Sequence, residues 1–151
     1  MQAEMGLDPK VKAFLTDELR WGVLATSNPD GSIQQSVMWF DLEGDKILMN
    51  TKRGRLKDRN MLADPRLSLC FESDYKYVTI RGTASLIDDQ ERAHGDIHRL
   101  AVKYHGQERA DEMMHEQFLH EERITVLMSI DSVSALARSL RQTSRPSRWG
   151  M

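Results

Sequence analysis

Short apolar runs separated by turn residues dominate the first half of the chain. WGVLATS is followed by the turn NPDG at 28–31 and by SIQQSVMWFDL, and EGD at 43–45 then leads into KILMNT. Such short connections indicate antiparallel neighbours, because parallel strands need a long crossover. We therefore predict a three-stranded antiparallel meander in this region.

Further strands and helices are predicted beyond the meander. LSLCFE is a strand by composition, YKYVTIRGTASLI alternates apolar and polar residues around a predicted bulge or close approach at Gly82, and ITVLMSIDSVSAL is the last strand or pair of strands. A leading helix, with its N-cap at Asp8, uses a face made of Val11, Phe14, Leu15 and Leu19. A brief helix uses Leu56, Met61 and Leu62, one capped by Asp88 ends before Gly106, and another covers about 108–122.

Six or so strands with helices in the connections predict the α+β class, as an antiparallel barrel with helices packed outside it. Residues 1–137 are expected to form this single domain, and 138–151 a basic C-terminal tail. A small barrel fills its interior with side chains. A ligand site is therefore expected at the rim of the barrel or between subunits.

The composition is that of an ordinary globular protein, with 40% hydrophobic and 29% charged residues. A net charge of −2 argues against a protein that coats nucleic acid, since such domains are usually basic overall. Cys70 is the single cysteine, so it has no intramolecular disulfide partner, and we expect it to be a buried hydrophobe. The start lacks the apolar run of a signal peptide, which makes the cytoplasm the expected location.

One segment, NTKRGRLKDRN at 50–60, concentrates positive charge where a strand should end and a helix begin. Its cations are Lys52, Arg53, Arg55, Lys57 and Arg59. Free N–H groups at a helix start, together with arginine and lysine side chains, form a site for a phosphate or carboxylate. A solvated cationic helix face is the alternative that spacing alone leaves open.

The run GVLATSNPDGSIQQSVMWFDLEGDKILMNTKRGRLKDRNMLADPRLSL, continued by YVTIRGTASL, resembles the pyridoxamine 5′-phosphate oxidase-like split β-barrel superfamily. Within it, the chain is most similar to the flavin/deazaflavin oxidoreductase branch of group B type, which uses coenzyme F420. The most specific stretch is N-T-x-x-G-R-x-K-x-R-N-x-x-x-D-P-R. The resemblance implies a split antiparallel β-barrel that forms a homodimer, with the cofactor in a groove between subunits.

The resemblance also implies roles for individual positions. Arg55 and Lys57 match the phosphate-binding pair, and Lys52, Arg53 and Arg59 are neighbouring cations suited to the acidic tail of the deazaflavin. Asn50 and Thr51 match the strand end along the ring system. The strand that lines the other edge of the ring system, with the family's usual aromatic after it, is matched by Gln35, Ser36, Val37, Met38 and Trp39.

The implied reaction is hydride transfer from the reduced deazaflavin to a small conjugated acceptor, with no metal and no identified catalytic residue. Trp39, Tyr77 and Arg81 are candidate substrate contacts, although Tyr77 is also explained as a ring that covers the barrel and Arg81 as a solvated cation. The alternatives are an FMN-dependent oxidase or reductase, and a non-catalytic barrel that binds a flavin, haem or tetrapyrrole. His94 and His98 lie at i and i+4, but they lack a clear third metal ligand.

Overall fold

The computed structural model describes residues 6–74 and 76–135. Within these ranges the strands form one seven-stranded sheet. The strands are β1 Gly22–Ser27, β2 Ile33–Met38, β3 Asp41–Glu43, β4 Lys46–Lys52, β5 Arg66–Ser73, β6 Lys76–Ile87 and β7 Arg123–Ala135. All neighbouring strands are antiparallel. The predicted antiparallel sheet of an α+β protein is confirmed.

One helix precedes β1, and the others lie in two of the connections between strands. They are α1 Pro9–Thr16, α2 Leu56–Ala63, α3 Gln90–His105 and α4 Gln107–Glu116, with a 3-10 turn at Phe118–His120. Two predicted helices were too long, because α1 ends before Leu19 and α4 ends at Glu116. The N-cap of α3 is Asp89 rather than the predicted Asp88, and its side chain accepts a hydrogen bond from the Glu91 N–H.

The sheet closes into a barrel. Its spatial order is β2-β1-β5-β6-β7-β4-β3, so β2 and β3 are the two edges. Only Trp39 and Phe40 connect these edges, and such a link spans at most about 11 Å. The two edges therefore meet without pairing, which is the predicted split barrel.

The predicted meander is wrong at this link, because β1–β2 and β3–β4 are separate hairpins at opposite edges. Two side chains of α3 form hydrogen bonds with the backbone N–H and carbonyl of Phe40. Its N–H donates to the Tyr104 hydroxyl at 3.1 Å, and its carbonyl accepts from Lys103 Nζ at 2.6 Å. The backbone therefore leaves the strand ladder here with its hydrogen bonds satisfied.

The barrel core is apolar and closely packed. Phe40 and Phe71 are both fully buried, with ring centroids 4.6 Å apart. Gly82 lies at the predicted bulge, where a Cβ atom would be only 1.9 Å from the Ser129 carbonyl oxygen. Cys70 is half-buried rather than buried as predicted, because it alternates with the core residues Leu69 and Phe71.

No helix in the described part of the chain is long and apolar enough to cross a membrane. The predicted basic tail, 138–151, lies outside the described residues, as does the boundary predicted before it.

Candidate functional site

A groove of about 360 Å³ lies between the barrel and the helices α3 and α4. This volume is at the lower end for small-molecule sites. Eight of the residues that line it were predicted from the sequence: Val37, Met38, Trp39, Asn50, Thr51, Lys52, Arg55 and Lys57. Six others lie far from them in the sequence and were not predicted: Ile97, Leu100, Met113, Gln117, Phe118 and Arg123.

The start of α2 contributes the cationic side of the groove. Gly54 adopts a left-handed conformation, with a φ of 92°, which glycine tolerates without strain. Asp58 Oδ2 accepts a hydrogen bond from the Gly54 N–H at 3.0 Å and so fixes the turn before the helix. The N-cap, Arg55, makes no side-chain cap. The first N–H groups of α2 therefore lack intrahelical and capping partners.

The buried face of α2 differs from the predicted one. Met61 is buried as predicted, but Leu56 and Leu62 are exposed, and Lys57 and Asn60 are buried instead. Asn60 Nδ2 donates to Thr26 Oγ1 at 3.2 Å and to Asn28 Oδ1 at 2.8 Å. These bonds dock the helix on the barrel through polar groups. The polar contacts therefore override the apolar pattern of this short helix.

Lys57 is a largely buried cation that lines the groove. Its side chain is buried, and it forms no ion pair with any described residue. Burial lowers the pKa of Lys57, the positive charges of Arg55 and Arg123 lower it further, and Asp58 partly offsets this. An anion bound in the groove would supply the missing negative charge.

Thr51 provides an unused polar atom at the same place. Its Oγ1 is buried and has no hydrogen-bond partner among the described residues. A buried polar atom without a partner is uncommon, since it loses its bonds to water. An oxygen atom of a ligand in the groove could form the missing hydrogen bond with Thr51 Oγ1. The donors present therefore fit a phosphate group.

Arg123 opens β7 and is the most informative residue that sequence reasoning missed. It is 5% exposed, and Nε donates to Asn50 Oδ1 at 3.0 Å. Its Nη1 donates to Glu121 Oε1 at 2.8 Å. A single arginine before an apolar strand gives no sequence signal of burial. Asn50, predicted to contact the ring system, lines the groove, and its side-chain amide is hydrogen-bonded to Arg123 and to the Ala93 carbonyl.

Apolar and aromatic side chains form the opposite wall. Trp39 lies edge-on to Phe118, with ring centroids 6.5 Å apart, and stacks on Tyr104. Ile97 and Leu100 of α3 are buried beside them. The groove thus pairs a cationic end with an apolar wall, an arrangement that suits an amphipathic ligand with a planar ring system and a phosphate.

Several predicted site residues do not line this groove. Arg53 is held by Glu122 at 2.7 Å and by Asp88 at 3.3 Å. Arg81 lies instead in a separate surface groove of about 460 Å³ across the sheet. Those outside the groove within one chain are Gln35, Ser36, Arg53, Arg59, Tyr77 and Arg81.

The histidines of α3 have separate partners. His94 Nε2 lies 2.9 Å from the Glu121 carbonyl oxygen, and His98 Nε2 lies 2.7 Å from Asp111 Oδ1. Within residues 6–74 and 76–135, no group of three or more His, Cys, Asp or Glu side chains could hold a metal ion.

Solved structures with the same fold include proteins of different functions. The chain is 23% identical to an F420 reductase, with a TM-score of 0.65 over 81% of this chain and 94% of that one. A conserved hypothetical protein from Mycobacterium tuberculosis is also 23% identical, with a TM-score of 0.71 over 98% of each chain. The haem storage protein HutZ from Vibrio cholerae is 19% identical, with a TM-score of 0.62 over 85% and 94%. At these identities the likeness shows the fold alone.

The family of this chain is identified by comparing its sequence with family profiles. No match to the chain was found among curated proteins. The sequence profile of the pyridoxamine 5′-phosphate oxidase family matches residues 7–131, which include the whole cationic segment and every residue that lines the groove. The chain therefore belongs to the pyridoxamine 5′-phosphate oxidase family.

Proposed function

We propose that this protein is an oxidoreductase that binds coenzyme F420 in the groove and reduces a small conjugated acceptor. The observation that carries the proposal is the buried, unpaired Lys57 beside Arg55 at the start of α2. Two cations held close together without an ion pair are unfavourable unless an anion joins them. A cofactor phosphate would be that anion.

The side chains of the groove have distinct roles in this proposal. Arg55 and Lys57 bind the phosphate, and the Thr51 hydroxyl donates to one of its oxygens. Trp39 and Phe118 cover the ring system and exclude water from the reacting face. When bound, the reduced deazaflavin supplies the hydride. The chain itself contributes binding, orientation and a dry surface.

The preference for the deazaflavin over FMN rests on charge. The deazaflavin carries an acidic tail beyond its phosphate, and Lys52 and Arg55 extend the cationic edge of the groove toward solvent. FMN is the second candidate. It is favoured because two of the cations already have carboxylate partners and are less available to an acidic tail. Arg53 is held by two carboxylates, and Lys52 Nζ lies 3.6 Å from Glu121 Oε2, which leaves less positive charge for a tail.

The proposed assembly is a homodimer in which the partner subunit covers the groove. Val37 lines the groove, although 66% of it is exposed, and it pairs in register with the part-exposed Val23. Ile33, 60% exposed, continues the same outer face of β2. An apolar strip along an edge strand is suited to burial against a second copy.

The proposal is tested by titrating the purified protein with coenzyme F420 and with FMN, at low and at high salt, while cofactor fluorescence is followed. Tight binding of the deazaflavin that weakens with salt is the expected result, because exposed cations near the tail are screened. Preference for FMN would replace the deazaflavin by the second candidate. Binding of neither cofactor would overturn the proposal and place the protein in the non-catalytic class.

A further inference from the structure

Arg123 has spare hydrogen-bonding capacity inside the groove. Nε and Nη1 are occupied by Asn50 and Glu121, and no described residue accepts a hydrogen bond from Nη2. The arginine lines the groove and is more than nine-tenths buried. The buried side-chain atoms without a hydrogen-bond partner in the described chain are Thr51 Oγ1 and Asp58 Oδ1, so Nη2 is open to the groove. A ligand or water in the groove can accept its hydrogen bond.

The guanidinium is held in one position by contacts on several sides. Gln90 fixes the backbone, accepting from the Arg123 N–H at 2.9 Å and donating to its carbonyl at 2.8 Å. The guanidinium carbon lies 5.0 Å from the centroid of the Phe118 ring. Because Arg123 is already ordered, a ligand would gain its hydrogen bond without the entropy cost of fixing a long side chain.

The charges around Arg123 also point to an anion. Arg55 and Lys57 are near enough to affect its electrostatics, and Glu121 is its single ion-pair partner in the described chain. Glu121 also lies 3.6 Å from Lys52 Nζ, so its one charge is shared by two cations. The inner end of the groove therefore keeps an excess of positive charge.

We propose that Arg123 is a third phosphate-binding residue of the groove, acting through Nη2 together with Arg55 and Lys57. This inference rests on the proposed function and deepens it. It adds to the cationic motif a residue that lies more than sixty positions further along the chain. The ligand class is a flavin or deazaflavin that carries a phosphate, as distinct from the same ring system without one.

The test compares phosphorylated and unphosphorylated forms of one ring system. Dissociation constants are measured by fluorescence titration for FMN and riboflavin, and for coenzyme F420 and the deazaflavin without its phosphate and tail. In Arg123→Gln, the affinity advantage of the phosphorylated form should fall by about 10- to 100-fold, as expected for losing a hydrogen bond between charged groups. Binding of the unphosphorylated form should stay within about twofold.

Two further variants test whether the effect comes from the loss of a contact with the phosphate, from the change in net charge or from unfolding. Arg53→Gln removes one cation outside the groove and should change the advantage by no more than about twofold. Glu121→Gln combined with Arg123→Gln keeps the net charge and removes both members of the ion pair, so no charge is left unpaired and we expect the fold to be retained. This double variant should also lose the phosphate advantage, and it serves if Arg123→Gln alone unfolds.

The outcomes are distinguishable. A wild-type protein that binds the phosphorylated forms, with an unchanged advantage in both Arg123 variants, would overturn the role of Arg123 and leave the proposed function in place. An equal loss in Arg53→Gln would also overturn it, because net charge would then explain the effect. If the wild-type protein bound neither pair, both proposals would fail.

Discussion

Trp39 is stacked on Tyr104, with ring centroids 5.3 Å apart and ring planes inclined by 11°. The pair joins the link between the barrel edges to α3. The Tyr104 hydroxyl accepts from the Phe40 N–H and donates to the Arg20 carbonyl at 2.5 Å. Burial raises the pKa of Tyr104 to about 12, so the hydroxyl keeps its proton at physiological pH. One side chain thus fixes both a wall of the groove and the closure of the barrel.

Replacing Tyr104 by phenylalanine should destabilise the protein by about 1–3 kcal/mol, because the buried backbone groups of Phe40 and Arg20 lose a partner. Denaturant unfolding measures this change. The stacking on Trp39 should persist in Tyr104→Phe but not in Tyr104→Leu, which should cost more. Equal stability of wild type and Tyr104→Phe would show that the hydroxyl is dispensable.

Gly82 should tolerate no side chain. In Gly82→Ala the Cβ would overlap the Ser129 carbonyl oxygen, so we expect a loss of more than about 3 kcal/mol, or failure to fold. Gly95→Ala is the matched control, since the space around Gly95 in α3 is open. It should be neutral or stabilising by up to about 1 kcal/mol, because alanine favours helix. Thermal unfolding of both variants tests the comparison.

The phosphate pair should dominate cofactor affinity. Arg55→Ala or Lys57→Met should each weaken binding of coenzyme F420, or of FMN if that is the cofactor, by about 1–3 kcal/mol. Arg59→Met, which removes a cation from the same helix but not from the groove, should cost less than about 0.5 kcal/mol. Wild-type affinity in both Arg55→Ala and Lys57→Met would refute the phosphate site at the start of α2.

Binding should weaken as pH rises, through Lys57. Its pKa is lowered in the free protein by burial and by Arg55, and a bound anion would raise it again. Binding therefore takes up a proton between the two pKa values. Affinity is full below the free-state pKa and falls as pH rises toward the bound-state pKa. FMN is the suitable probe, because its phosphate is already largely dianionic above roughly pH 7.

Isothermal titration with FMN from roughly pH 7 to 11 measures this slope, in a range that includes the ordinary lysine pKa of about 10.4. Lys57→Met should bind more weakly at pH 7 and lose much of the slope. Identical slopes in the two proteins would assign the proton to another group.

The proposed dimer should depend on the outer face of β2. Ile33→Lys should shift the protein toward the monomer in analytical ultracentrifugation, because a charge would be buried in the interface. Leu62→Lys replaces an equally exposed apolar residue on α2 and should leave the oligomeric state unchanged. A wild-type monomer at micromolar concentration would contradict the assembly itself.

The parts of the fold that could be predicted are those that depend on local sequence patterns. The alternation from Val78 to Leu86, the bulge at Gly82 and the turn residues between strands are properties of neighbouring residues. The cationic segment likewise predicted where α2 begins. The pairing of β2 and β3 was predicted wrongly, because the polar groups that free Phe40 from the ladder come from α3, more than sixty residues later.

The sequence by itself therefore determined the antiparallel barrel and the place of the cationic segment within it. Only the tertiary structure decided which of these cations line the groove. Arg53 and Lys57 are four residues apart, yet one is paired with surface carboxylates and the other is buried without a partner. Arg123 meets Asn50 across 73 residues. Whether a charged side chain is buried depends on residues that are distant in the sequence and pack around it. The periodicity of the neighbouring sequence does not contain this information.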